Sequence, residues 1–297
     1  MQTSSRLKII RAEHLGMCFG VRDAIALAHR QACLAPLTVL GDLVHNETVL
    51  RDMRARGIRI AQNPSEASTT EVMVTAHGAS EKAKVQARLL GLHVTEATCP
   101  LVTLAHRALA RLVAEGYYPV IIGKQEHVEV RGMTEDLEEF DVILGETDVA
   151  RLVGHPKIGL VAQTTQPIDR VRNLVAIVRR RFPTSDVRLV DTVCRPTKQR
   201  QHAAVELAQQ VEVVVVIGGA HSNNTRELVN TCRRYCSRVY QVQTASDMCS
   251  DWFDGVRTVG VTAGTSTPDS TIDEVERWLT CLSVPASPRC VLGEVVV

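Results

Sequence analysis

Aromatic residues are scarce in this sequence: Phe, Trp and Tyr together make up 3% of the chain. A groove for single-stranded nucleic acid needs rings on which bases stack, so the composition argues against one. Charge of one sign is equally lacking. Thirty-four Lys and Arg stand against 33 Asp and Glu, a formal net charge of +1, which leaves no global basic field to hold a polyphosphate backbone. Long apolar runs are missing too. The most apolar stretch, "VEVVVVIGGA", is far shorter than the ~20 residues of a membrane-spanning helix, and the N-terminal "MQTSSRLKIIRAEH" lacks the apolar core of a leader. These features read as a cytoplasmic protein with neither nucleic acid nor membrane as partner.

Cysteine, by contrast, is plentiful. Nine is an odd count for a reducing compartment, which argues against a disulfide framework and favours metal or redox use of some thiols. At 297 residues the chain is long for one hydrophobic core, and size statistics favour two or three small domains. Hydrophobic residues at 45% and charged residues at 23% are those of an ordered globular chain. With so few rings, its core has to be built from Val, Leu, Ile and Ala.

Six short β-branched runs recur, each ending in a Gly, His, Ser or Asn turn and followed by a helix-like segment: "LTVLGDLVHN", "EVMVTAHGAS", "YYPVIIGKQEHVE", "IGLVAQTTQP", "VEVVVVIGGAHSNN" and "RTVGVTAGTSTPD". Such alternation predicts an α/β protein with parallel sheets and crossover helices. The basic stripe in "RVRNLVAIVRRRF" (residues 170–182) is read as a solvated helix face rather than a nucleic-acid patch.

Cys99, in "TEATCPLVTLAHRAL", sits at a strand-to-helix turn, where the helix dipole and free backbone N–H groups favour a thiolate. It is a candidate ligand or nucleophile, against the plain alternative of a buried core thiol. Cys18, Cys99 and Cys194 occupy comparable contexts and are separated by 81 residues (18 to 99) and 95 residues (99 to 194). Three similar α/β units around a pseudo-threefold axis would point these thiols at one centre; nine cysteines yield many triples, so spacing alone leaves a chance pattern open. Cys232 and Cys236 fall at i, i+4 with no third ligand nearby in sequence and are read as core or surface thiols.

Ligands of open α/β sheets bind beyond the carboxyl ends of the strands. His45, His77, His127, Thr164, Ser222, Asn224 and Ser266 all fall there, as neutral donors beside Gly-rich turns that open helices, an arrangement suited to phosphate oxygens. No Walker A loop or G-x-G-x-x-G fingerprint accompanies them, so nucleotide binding is unsupported. Glu129 lies two residues after His127. If that segment is extended, both side chains leave one face and the carboxyl can serve as a general acid; the alternative is a solvated glutamate among Glu126 and Glu135.

With these residues in view, the sequence resembles the 4-hydroxy-3-methylbut-2-enyl diphosphate reductase family. The resemblance runs in order through "GMCFGVRDAI", "VHNETV", "AHGAS", "ATCPLVTLAH", "EHVEVRG", "QTT", "DTVCRPTKQRQ", "GGAHSNNTREL" and "VTAGTSTPD". It implies three α/β domains, over residues 1–98, 99–193 and 194–280, with the tail 281–297 packing on the first. It also implies a [4Fe–4S] cluster held by Cys18, Cys99 and Cys194 with its fourth iron open. Diphosphate binding then maps to His45, His77, His127, Thr164, Ser222, Asn223, Asn224 and Ser266, proton delivery to Glu129 with Thr164 as relay, and electron supply to a ferredoxin or flavodoxin type donor. The implied reaction is reductive dehydroxylation at the end of the non-mevalonate isoprenoid pathway. The chain departs from the family pattern at Leu104 (commonly Lys), Val128 (Pro), Arg195-Pro196 (an aromatic and Ala), Ala220-His221 (Lys-Asn) and Asn223 (Ser). A noncatalytic iron–sulfur redox sensor, a specialised paralogue with altered substrate and a zinc hydrolase are the rival readings; the last lacks an H-E-x-x-H or paired C-x-x-C.

Overall fold

The structure, a computed structural model, describes residues 7–282. A short strand β1 (Lys8–Arg11) comes first. It is followed by α1 (Phe19–Leu34), β2 (Leu37–Leu40), α2 (Glu47–Ala55), β3 (Arg59–Ala61), β4 (Glu71–Val74), α3 (Glu81–Leu89) and β5 (His93–Glu96). A second run holds α4 (Pro100–Ala114), β6 (Tyr118–Ile122), α5 (Val128–Thr134), β7 (Asp141–Ile143), α6 (Glu146–Val149), β8 (Lys157–Ala162), α7 (Ile168–Arg181) and β9 (Asp186–Leu189). The third holds α8 (Arg195–Ala208), β10 (Val213–Ile217), α9 (Asn223–Cys232), β11 (Val239–Val242), β12 (Thr258–Ala263) and α10 (Asp269–Leu282).

Three all-parallel sheets result, and their strand order is the same each time: β3-β2-β4-β5, β7-β6-β8-β9 and β11-β10-β12-β1. The last sheet takes its fourth strand from the start of the chain, with Lys8 opposite Thr258 and Arg11 opposite Val261. Residues 8–11, which the sequence reading put in the 1–98 stretch, therefore complete the sheet of the last stretch. Alternation along β1 explains the fit, since Ile9 packs on the core of one sheet face and Ile10 on that of the other. Of the expected tail 281–297, residues 283–297 lie outside the described residues.

The β-branched composition of the central strands suits burial on both faces: Val213 to Val216 and Ile217 are fully buried, as are Val161 and Ala162 of β8. Each large aliphatic side chain so buried contributes on the order of 1.5–3 kcal/mol. Local chemistry fixes where the intervening helices start. Asn46 caps α2 by accepting from Thr48 N–H at 3.0 Å, Ser80 caps α3 by accepting from Ala83 N–H at 3.1 Å, and Pro100 and Pro196 occupy the first turns of α4 and α8.

The three sheets are tied pairwise. Ser80 donates to Glu135 at 2.7 Å between the first two, Arg22 pairs with Asp269 at 3.1 Å between the first and third, and Arg170 grips Glu227 through two bonds of 2.8 and 3.2 Å between the second and third. Arg170 thus turns inward from the stripe that the sequence reading had wholly solvated, because a carboxylate on α9 stands opposite it; Arg172 keeps to solvent. Among the described residues no helix is long and apolar enough to cross a membrane.

Candidate active site

In the first two sheets the chain runs outward one way from the first strand and the other way from the third, and the last sheet has the same strand order with β1 in the fourth place. The topological switch point therefore lies between the two central strands in each. Every expected polar residue follows one of those six strands: His45 after β2, His77 after β4, His127 after β6, Thr164 after β8, Ser222 after β10 and Ser266 after β12. Each expected cysteine instead follows an edge strand, β1, β5 or β9, and caps the helix that opens the next run, α1, α4 or α8. The backbone repeats the arrangement. Cys18 N–H donates to Thr265, Cys99 N–H to Ala76 and Cys194 N–H to Thr164, each at 3.0 Å and each to the carbonyl two residues past the adjoining central strand.

None of the three thiols caps its helix through its own side chain, and the Cys194 sulfur lies 3.1 Å from the Thr197 hydroxyl in the first turn of α8. Cys99 lies against α1: a Cβ added at Gly20 would stand 2.4 Å from its sulfur, so only glycine lets the two elements meet. Burial pushes the Cys194 thiol up to about 11, and the charges of Glu129 and Cys18 add to the rise; burial also raises Cys99, with Cys18 and Glu129 again adding. The thiols therefore sit within electrostatic reach of one another, and as bare thiolates they would be costly to bury. Iron would offset that cost by coordinating the deprotonated sulfur. A buried cation completes the setting. Arg200 donates to the Gly16 carbonyl at 2.6 and 3.0 Å and to Pro196 at 3.1 Å, and the charges that favour its ionised form are those of Cys18 and Cys194. The donor set fits an iron–sulfur group. Among the described residues no three His, Cys, Asp or Glu side chains form a single-ion site.

Glu129 is 1% exposed, which removes the solvated reading. Its carboxylate takes the Thr164 N–H at 2.6 Å and the Thr164 hydroxyl at 3.0 Å. Burial nevertheless outweighs those two bonds and pushes the carboxyl up to about 7. The expectation of an extended segment here is corrected: α5 begins at Val128, and His127 caps it by accepting the Glu129 N–H on Nδ1 at 3.1 Å. The cap, not strand alternation, brings the two residues together, and it leaves the neutral ring's proton on Nε2.

His127 meets two other rings. His45 and His77 stack at 4.5 Å between centroids, and His127 stands edge-on to them at 5.2 and 5.6 Å. Burial lowers the pKa of all three, well below the ordinary value for His77, and His127 falls to about 3. Near neutrality they are uncharged donors. The same chamber is lined by Glu129, Thr165, Ser222, Asn223, Asn224 and Ser266. Among the described residues Asn224 Nδ2 and His77 Nδ1 are buried there without a hydrogen-bond partner, an arrangement that a ligand rich in oxygen acceptors would relieve on the Asn224 side. Asn223 is differently placed, its amide donating to Thr165 Oγ1 at 3.1 Å.

Thr165 and Arg200 escaped the sequence reading. Both lie inside motifs that carry the resemblance, "QTT" and "DTVCRPTKQRQ", but adjacency was the only available signal. Cys232 and Cys236 are core thiols: their sulfurs lie 3.5–3.8 Å from the carbonyls of Ala204, Val211, Glu212 and Arg238. Cys33 and Cys281 are exposed, Cys249 is half-buried, and Cys290 lies outside the described residues.

Known proteins agree with this architecture. The family model described as LytB protein matches residues 9–280. The 4-hydroxy-3-methylbut-2-enyl diphosphate reductase of Trichlorobacter lovleyi is 37% identical over 271 residues, 91% of this chain and 96% of that protein. The reductase of the same name from Aquifex aeolicus is 34% identical over 274 residues, 90% of this chain and 94% of that protein. Among solved structures, the E-1-hydroxy-2-methyl-but-2-enyl-4-diphosphate reductase of Plasmodium falciparum superposes with a TM-score of 0.87 at 24% identity, covering 95% of this chain and 89% of that one, which bears on the fold alone. An (E)-4-hydroxy-3-methyl-but-2-enyl diphosphate reductase described as the terminal enzyme of the non-mevalonate pathway superposes with a TM-score of 0.67 at 32% identity, covering 92% and 99%. A match from β1 to α10, on a chain whose three cysteines and six strand-end polar residues are delivered by one repeated topology, places this protein in the LytB protein family.

Proposed function

We propose that this chain is an oxidoreductase that converts (E)-4-hydroxy-3-methylbut-2-enyl diphosphate to isopentenyl diphosphate and dimethylallyl diphosphate, the last step of the non-mevalonate isoprenoid pathway, in the cytoplasm. The balance is two electrons and two protons taken up and one water released. Curated relatives 34–38% identical over about nine-tenths of the chain bear the name of that enzyme. The observation that carries the reading for this chain is Glu129, a buried carboxyl able to keep a proton near neutral pH in a chamber of uncharged donors.

Cys18, Cys99 and Cys194 would hold a [4Fe–4S] cluster with one iron free of thiolate, and such a group, when bound, supplies electrons one at a time and a Lewis-acid position for the departing oxygen. The remaining work belongs to side chains. His45, His77, His127, Ser222, Asn224 and Ser266 hold the diphosphate; each bond from a neutral donor to an anion is worth roughly 1.5–3 kcal/mol. Asn223 supports the wall through Thr165. Protonated Glu129 donates to Thr164 Oγ, which frees the Thr164 hydroxyl proton to turn toward the substrate.

Anaerobic turnover of iron-loaded protein with the hydroxylated diphosphate and viologen reduced by dithionite tests the reading. Both five-carbon diphosphates should form, with two viologens oxidised per product. Loaded protein that consumes no substrate under these conditions overturns it.

A further inference from the structure

A groove lies on the outer side of the site between α4 and the segment from β9 into α8, and Cys194 forms part of its wall. Four arginines line it: Arg107, Arg111, Arg188 and Arg195. The two carboxylates in the groove are already engaged. Glu115 pairs with both Arg111 and Arg188, and Asp191 is held by Lys198 at 2.7 Å. Arg107 and Arg195 are left with no ion-pair partner among the described residues. Leu104, a large apolar side chain that lines the same groove, stands 56% exposed at its lip.

Leu104 and Arg195 thus line one groove together with Cys194, a cysteine of the proposed metal centre. The groove shares no residue with the polar cleft that adjoins His45 and His127, so an occupant here leaves the approach to the chamber clear. An apolar lip among unpaired cations is complementary to a partner with an apolar contact ringed by carboxylates. Small, transient, electrostatically steered interfaces of this kind are typical of electron-carrier encounters.

We propose that this groove is the docking face of an acidic one-electron carrier protein, of the ferredoxin or flavodoxin class, which delivers electrons on the Cys194 side. The proposal rests on the reductase reading above. In each encounter the carrier is oxidised by one electron and the metal centre reduced by one; two encounters and two protons complete a turnover that releases one water.

The test compares wild type with Arg107→Glu and with the double variant Arg107→Glu/Arg111→Glu, all as iron-loaded protein. Turnover is driven in three arms, by a reduced acidic ferredoxin, a reduced acidic flavodoxin, or dithionite-reduced methyl viologen. At limiting carrier and low ionic strength, the variants should lose about tenfold or more with at least one protein carrier, the gap should close as salt rises, and Arg107→Lys should restore the rate. Viologen-driven turnover should stay within about twofold of wild type. Unchanged rates with both carriers overturn the proposal, as does an equal loss with viologen, which would mean that the arginines act on the site itself. Absence of viologen turnover in wild type would instead strike at the reductase reading.

Discussion

Thr164 serves Glu129 twice, giving its backbone N–H to one carboxylate oxygen at 2.6 Å and its hydroxyl to the other at 3.0 Å. The first bond fixes the carboxyl; the second joins it to a hydroxyl that can turn. Glu129→Gln keeps shape and polarity but removes the titratable proton. Turnover should fall about 10²–10⁴-fold while diphosphate affinity and iron content survive. Thr164→Val keeps the N–H bond and loses the hydroxyl, so it should lower turnover with Glu129 still in place. Steady-state rates and substrate titration separate the two variants, and a Gln variant within threefold of wild type would exclude Glu129 as the essential acid.

Stability should carry the same signature. The Glu129 carboxyl titrates near 7 when folded, against an ordinary 4.5, so its contribution is full below about 4.5 and is lost as pH rises through 7. Glu129→Gln has no such loss. On apoprotein, the variant should gain about 2–3 kcal/mol on wild type between pH 5 and pH 8.5 in denaturant unfolding. His127 runs the other way: its pKa falls to about 3, so its contribution is present above 6.5 and declines as pH drops. Both proteins contain His127, which leaves the difference between them to Glu129; a flat difference across that range refutes the buried, titrating carboxyl.

The six apolar runs visible in the sequence are the six central strands, β2, β4, β6, β8, β10 and β12, and the turns after them carry the chamber. Continuous burial of residues such as Val213 to Val216 demands the β-branched composition that makes those runs legible. The edge strands were illegible for the converse reason. Arg59–Ala61 and Asp141–Ile143 have three residues each, and His93–Glu96 and Asp186–Leu189 keep polar residues at exposed positions. Nor does local pattern reveal that Lys8–Arg11 pairs with Thr258–Val261 across the whole chain. The cap at His127 and the charge relation of Arg200 to Cys18 and Cys194 depend on three-dimensional placement, which spacing does not encode.

Cysteine replacements should divide cleanly. Cys18→Ser, Cys99→Ser and Cys194→Ser each remove a thiol from the start of a helix, one of the three proposed to hold the cluster, and each should abolish retention of most of the iron. Burial, reinforced by Cys236, pushes the Cys232 thiol up to about 12, the behaviour of an apolar core group rather than a ligand. Cys232→Ala should keep its iron and lose only about 1–2 kcal/mol of stability from the lost packing. Iron assay and visible absorbance after anaerobic loading decide the matter; a Cys232 or Cys236 variant that loses the cluster while the other three retain it reverses the assignment.

Gly20 offers the sharpest separation of fold from site. It is buried in the first turn of α1, where alanine would ordinarily favour the helix by roughly 0.5–1 kcal/mol. Here the added Cβ would stand 2.4 Å from the Cys99 sulfur and 3.1 Å from its Cβ. Contact below about 3 Å is not tolerated between such atoms, so either α1 shifts or the thiol swings away. Both responses disturb Cys99, and a shift of α1 also moves Cys18, which caps it. Gly20→Ala should therefore keep its helical circular dichroism yet load iron poorly, with turnover per protein falling in proportion to iron retained. If the variant instead took up iron and turned over like wild type, the close approach of α1 to Cys99 would have no part in assembling the centre.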